Sequence, residues 1–281
     1  MRIRKPDPDS KFTTDGGTMY DYHTHSDFSF DSYTKPEEMI EEAVRKGIKE
    51  IAITDHYDPD YPDSDYPFEI TFPRYHKKLL EVSKRYRDRI KVVKGIEIGI
   101  QHGKTLAKCE RAANAFSYDF ILGSFHSAYG QDLYGEYFSK RSVEDGFYDF
   151  YIYMEDCLKN YKNFDVLGHF NVVDRYSEYI PDYAPYMDVI GRILKLLIRD
   201  GKGLEFNTSS FRYSMGGRTK PSKEILELYR KLGGEIITIG SDAHKTQDIG
   251  FKYDTAISIL KSHGFDYIAT FENRKPTFVK I

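Results

Sequence analysis

The stretch YDYHTHSDFSFDSYTKPEEMIEEAVRKG, residues 20–47, holds one complete strand-and-helix unit, a pattern that then repeats to the end of the chain. Its opening alternates in polarity as a strand does, and side chains two apart on a strand point the same way, so His23 and His25 share one side. From Thr34 the period becomes helical, with Thr34 and Glu37 at capping-box spacing and Gly47 at the expected stop. Two imidazoles on one side of a strand end are half a metal site. A pair of surface histidines on a frayed strand would look the same locally, so further ligands must come from elsewhere in the chain.

Outward from this unit, short apolar runs alternate with helical segments: EIAITDH, IKVVKGIEIGI, YDFILGSFH, FDVLGHF, KGLEFNTS and GEIITIGSDAH are the strands. Between them lie helical segments near 73–88, 105–116, 143–162, 222–232 and 253–263. MDVIGRILKLLIRDG is a further one, placing Ile190, Ile193, Leu194, Leu197 and Ile198 on one face. Seven strong strand-helix units and a weaker eighth strand, YIATF, predict an α/β protein with a mainly parallel sheet. No Ser/Gly/Pro linker interrupts residues 20–281, which predicts one domain, and residues 1–19 read as a polar, poorly ordered tail.

A hydrophobic fraction of 40%, a charged fraction of 30% and a net charge of −3 leave no general basic footprint, so a nucleic-acid partner is not expected. The two cysteines, Cys109 and Cys157, fall in helical stretches, which fits a reducing compartment and not a disulfide framework. No run has the apolar length of a membrane span, and no apolar segment follows the basic N-terminus, so a cytoplasmic protein without a membrane partner is expected.

The histidines carry the chemistry. Six of the nine stand at strand C-terminal ends: His23, His25, His56, His126, His169 and His244. Glu97 in GIEIG and Asp242 in GSDAH share such positions. In a parallel barrel these ends converge on one rim, where barrel active sites are built. Imidazoles and carboxylates without thiolate suit zinc, manganese or iron, and this many candidates imply two or three divalent ions, with a carboxylate such as Glu97 bridging a pair. Such a cluster lowers the pKa of bound water from about 15.7 towards 7 and clamps the oxygens of a displacement at phosphorus, so the reaction class is phosphate-ester hydrolysis. His76 and His263 fall in helical segments and read as surface residues.

The succession HTHSDFSFDS, ITDH, GIEIG, GSFHS, DVLGH and GSDAH resembles the PHP superfamily, the polymerase and histidinol phosphatase group, from about residue 20 to 270. The resemblance implies a distorted seven-stranded (β/α) TIM-like barrel with a trinuclear metal centre. It further implies one ion on His23, His25, Glu97 and Asp242, a second on Glu97, His126 and His169, and a third on His56, His244 and Asp31. Some relatives have histidine at this last position. DVLGHFNVVDRY and LEFNTSSFR are most similar to the histidinol-phosphate phosphatase branch of histidine biosynthesis.

Arg175 and Arg212 follow strand ends where a substrate phosphate would sit, and a planar guanidinium donates two parallel hydrogen bonds to phosphate oxygens. Arg218, in the loop SMGGRTKPS, is a third candidate. Ser127, Asn207 and His102 are candidates to touch substrate, Asp55 to orient His56 or to cap the following loop, and a metal-bound water, Asp242 or His244 to move the leaving-group proton. The expected partner is a small phosphorylated substrate. Two rival readings stand beside this one: a phosphoesterase for another small ester or a nucleotide, and a metal-holding barrel without turnover.

Overall fold

The computed structural model describes residues 18–281 apart from Ser214 and Gly216. Seven strands run parallel: β1 (Met19–Thr24), β2 (Ile48–Ile53), β3 (Lys91–Gly99), β4 (Phe120–Ser124), β5 (Val166–Leu167), β6 (Gly203–Asn207) and β7 (Ile237–Gly240). Each pairs with the next in chain order. The sheet curls back on itself, since Asp242 N donates to His23 O at 2.8 Å, His25 N donates to Ala243 O at 2.8 Å, and Thr24 bridges Ala243. The result is a nearly closed (β/α)7 barrel. The expected N-terminal tail lies outside the described residues except for Thr18 and Met19, and Met19 already pairs with Ile48 in β2.

Seven helices cover the outside: α1 (Pro36–Arg45), α2 (Phe72–Tyr86), α3 (Thr105–Ala113), α4 (Val143–Asn160), α5 (Met187–Arg199), α6 (Lys223–Lys231) and α7 (Tyr253–Ser262). Strands walled on both faces read as apolar runs, as in Ile51–Ile53 at the end of β2 and Phe120–Gly123 of β4, all buried. On α5, Ile190, Ile193, Leu194 and Leu197 are buried as their spacing predicts. No helix among the described residues is long and apolar enough to cross a membrane. Cys109 and Cys157 are buried, unpaired helix residues, and burial pushes both thiols up to about 12.

Several local expectations shift. The capping box of α1 is one residue later than the spacing suggests: Lys35 N donates to Glu38 Oε2 at 2.9 Å, and Pro36 fills the first helical turn. Thr34 instead reaches His244 O at 3.3 Å, beside Ser32, whose hydroxyl donates to the same carbonyl at 2.9 Å. YIATF does form a strand, β8 (Tyr267–Glu272), but it pairs antiparallel with β9 (Lys275–Lys280) and does not join the barrel. The β1–β7 seam is already joined, and the left-handed pair Asn273 and Arg274 turns the chain straight back. This hairpin closes the N-terminal end of the barrel through Phe271 N to Tyr22 Oη at 2.8 Å and Arg274 Nε to Asp165 Oδ2 at 2.5 Å. His76 and His263 are half-buried and not surface residues: His76 stacks on Phe116 at 4.4 Å, and His263 Nδ1 lies 2.8 Å from Ile259 O.

Candidate metal centre

Glu97, near the end of β3, is fully buried at the middle of the rim. Its two oxygens face different neighbours. Oε1 accepts from Ser124 Oγ at 2.5 Å and lies 3.0 Å from His169 Nε2 and 3.4 Å from His126 Nε2. Oε2 lies 2.9 Å from His56 Nδ1, 3.2 Å from His23 Nε2 and 3.5 Å from His25 Nε2. Asp242 Oδ1 completes the second set, 3.4 Å from His25 Nε2 and 3.8 Å from His23 Nε2. At the outer edge Asp31 Oδ2 is 3.1 Å from His244 Nε2 and 3.8 Å from His56 Nε2. All nine candidate ligands therefore meet on one rim.

Four groupings have ligand atoms close enough together for one ion: His23, His25 and Asp242; His23, Glu97 and His169; His56, Glu97 and His126; and His25, His56 and His244. The donors also fit a cation chemically. His23 Nε2, His25 Nε2, His56 Nδ1, His244 Nε2 and Glu97 Oε2 are buried without a hydrogen-bond partner. Each such group costs about 1–3 kcal/mol when left unpaired, and a shared cation removes that cost for all of them.

The other ring nitrogens are committed outward. His23 Nδ1 lies 2.6 Å from Glu205 Oε1, His126 Nδ1 2.6 Å from Asp58 Oδ1, His25 Nδ1 3.1 Å from Ser29 Oγ, and His244 Nδ1 3.1 Å from Asp242 O. Donation of Nδ1–H to these acceptors leaves the Nε2 lone pairs facing inward, the tautomer that a ligating imidazole needs. Asp55 acts one step back from the place expected of it: it accepts from Ser26 N and from Ser29 Oγ at 2.8 Å, and so fixes the loop that backs His25.

Charge states follow from the crowding. Burial pulls the Glu97 carboxyl up, but His23, His56 and His126 outweigh it and hold that carboxyl well below the usual carboxylate range. Burial also acts to raise Asp242, and His23, His25 and His244 hold it low in the same way. Burial, then repulsion from His244 and His56, pushes His25 well below its ordinary value, and burial lowers His169. Burial acts to lower His23, His56 and His126 too, but the carboxylates beside them outweigh it, raising His23 and His56 well above their ordinary value and His126 to about 9. A metal, which requires ionised carboxylates and neutral imidazoles, would therefore displace protons from these three rings.

The backbone is bent to reach this arrangement. His169 and Asp242 have φ of 24° and 55°, left-handed values that cost non-glycine residues on the order of 1–3 kcal/mol. Gly240 is needed beside them, because a Cβ there would collide with the Glu205 carboxylate and with His23.

Above the cluster opens a cavity of about 320 Å³. Arg175 lines it as predicted, with its guanidinium 3.6 Å above the Tyr213 ring. The other substrate candidates stand elsewhere. Arg212 lies behind Asp242, donating from Nη2 to its carbonyl at 2.9 Å. Asn207 also sits behind that residue, its Nδ2 3.0 Å from Glu205 Oε2 and 3.4 Å from Asp242 Oδ2, so it positions the carboxylates. Arg218 is turned away, stacked over Tyr183 at 4.7 Å with Glu224 at 3.7 Å. Ser127 is buried in a short bridge to Asp132 and does not line the cavity. His102 pairs with Asp156 at 3.3 Å in a separate cleft, at the turn that follows the end of β3.

Sequence reasoning missed Glu205, Asp58, Lys220 and Phe68, and it singled out none of the tyrosines that line the cavity, Tyr61, Tyr66, Tyr134 and Tyr176. A lone carboxylate inside the apolar run GLEFN was the available signal for Glu205. Glu205→Gln is expected to keep the fold and to weaken metal binding by about 10–100-fold, read by titrating the metal-free protein with zinc. Unchanged affinity would mean that the carboxylate does not set the His23 ring.

The PHP domain family model matches residues 21–209. A Lactococcus lactis protein named histidinol-phosphatase is 29% identical over 265 residues, covering 91% of this chain and 95% of the relative. A Clostridium acetobutylicum protein named a probable histidinol-phosphatase is 31% identical over 250 residues, covering 87% of this chain and 93% of the relative. Among solved structures, the Lactococcus lactis histidinol phosphate phosphatase, complexed with zinc, L-histidinol and phosphate, superimposes with a TM-score of 0.84 at 28% identity, covering 92% of this chain and 99% of that one. With the barrel, the rim of ligands and these matches in agreement, the chain belongs to the PHP domain family.

Proposed function

We propose that the protein is a metal-dependent phosphomonoesterase that hydrolyses L-histidinol phosphate to L-histidinol and phosphate, a step of histidine biosynthesis in the cytoplasm. The observation that carries this reading is the ligand cluster on the floor of a cavity walled by an arginine with unspent donors. The substrate rests on the likeness to the Lactococcus lactis enzyme and its bound ligands.

Two to three divalent ions, zinc or else manganese or iron, would be held by His23, His25, Glu97 and Asp242, by Glu97, His126 and His169, and by His56, His244 and Asp31. When bound, such ions supply Lewis-acid activation of water and neutralise phosphoryl oxygens. The chain's own residues do the rest. Arg175 has ring partners but no protein hydrogen bond or ion pair among the described residues, so its fork is available to phosphate oxygens. Arg212 holds the Asp242 backbone and so orients that carboxylate. Asp242 and His244 both line the cavity, and Asp242, held ionised by the imidazoles around it, is a proton acceptor there and not a donor. Tyr61, Tyr66 and Tyr176 give the substrate's flat ring an apolar lining.

The test is phosphate release from L-histidinol phosphate, p-nitrophenyl phosphate and a nucleoside monophosphate, with metal counted on the same sample. A strong preference for histidinol phosphate with two to three ions per chain is expected. Equal, slow turnover of all three would remove the substrate assignment. Arg175→Ala is expected to lower kcat/KM by about 10²–10³-fold with metal content unchanged, the usual loss for one transition-state donor.

A further inference from the structure

Lys220 is the only buried lysine or arginine among the described residues. It belongs to the same loop as Arg218, but its backbone is tied to β6, whereas Arg218 N donates within the loop, to Met215 O at 2.9 Å. Asn207 N, at the end of β6, donates to Lys220 O at 2.7 Å, and the two residues form an antiparallel bridge. The side chain lines the metal-centre cavity beside Arg175, His169 and Asp242. Nζ donates to Ser209 Oγ at 3.0 Å and has no salt bridge, which leaves N–H donors unspent. Tyr213 links it to Arg175, its ring lying 5.6 Å from Lys220 Nζ and 3.6 Å from the Arg175 guanidinium.

Two cations gathered on one ring in a cavity wall, neither of them in a salt bridge among the described residues, leave donors free for an arriving anion. Burial lowers the Lys220 ammonium to about 8, with Asp242 opposing the shift and Arg175 adding to it, so near neutral pH the side chain still carries its charge. An ammonium is a compact donor that serves phosphate as a point charge, where the arginine fork gives direction.

We propose that Lys220 donates from Nζ to a phosphoryl oxygen of the bound ester and of product phosphate, forming with Arg175 a two-cation clamp beside the metal centre. This rests on the phosphatase reading above. The rival role is structural: Lys220 would only staple its loop to β6 through Ser209.

Lys220→Met keeps length and removes charge, which separates the two roles. With the metal-loaded enzyme, the inhibition constant for inorganic phosphate is expected to rise by about 10-fold or more, the loss of one charge-assisted hydrogen bond. The kcat/KM for p-nitrophenyl phosphate is expected to fall alongside it. Metal content should hold, and Tm should stay level or rise, since the cost of burying a cation has gone. Lys220→Arg should recover part of the phosphate affinity. Phosphate inhibition within twofold of the parent, or a fall in Tm and metal content that accounts for the whole loss, would overturn the proposal. Because phosphate and p-nitrophenyl phosphate are the probes, failure of the parent enzyme on histidinol phosphate would sink the substrate reading alone.

Discussion

Glu97→Gln is expected to abolish turnover of the phosphate ester and to lower bound metal by at least one ion per chain. The side chain changes little in size, so packing in the barrel is kept. What is lost is the charge that faces His126 and His169 through one oxygen and His23, His25 and His56 through the other. An amide offers one acceptor and one donor where two acceptors stood, and its NH₂ would point at imidazole lone pairs. The transition-state stabilisation supplied by a metal is several kcal/mol, so losing it lowers kcat/KM on the order of 10³-fold or more. Metal analysis and phosphate release on the same preparation check this. Full metal content with activity within tenfold of the parent would show that Glu97 does not join two sites.

Removing the metals is expected to cost stability as well as activity. The cluster lies inside the barrel mouth, and its members come from the ends of six of the seven strands, so the ions join elements that are distant in sequence. A ligand that binds only the folded chain stabilises it by about 4 kcal/mol at a thousandfold excess over its Kd. For a chain of this size that is roughly 10 °C in Tm for each ion. Dialysis against a chelator should therefore lower Tm by at least this much and eliminate turnover, and zinc added back should restore both. A chelated, metal-free sample with unchanged Tm would mean that the rim is preorganised by its own hydrogen bonds and that the ions add only chemistry.

The parts legible in the sequence are those fixed by short-range periodicity. His23 and His25 share a side because a strand repeats every two residues, and the strand-end placement of His56, His126, His169 and His244 can be read one unit at a time. The helix starts were less exact. Thr34 was read as a cap, yet its hydroxyl supports His244 O, a partner 210 residues away that no local pattern reveals. His102 was proposed from its distance along the chain from Glu97, and the turn after Gly99 carries it into another cleft.

The choice between Arg218 and Lys220 shows the same limit at close range. Two basic residues two apart in one loop are equivalent as text. The bridge from Asn207 fixes the backbone of Lys220, while Tyr183 and Glu224 draw Arg218 aside.

By itself the sequence determined the strand-helix alternation, and with it which imidazoles and carboxylates stand at strand ends, because backbone geometry sets the period and apolar burial sets the face. Only the tertiary structure decided which groups back those ligands and which cations face the cavity. Glu205 reaches His23 across 182 residues, and Lys220 reaches the rim through the strand it is pinned to. Such contacts arise when the barrel closes and brings its loop ends together, and closure is a property of the whole sheet.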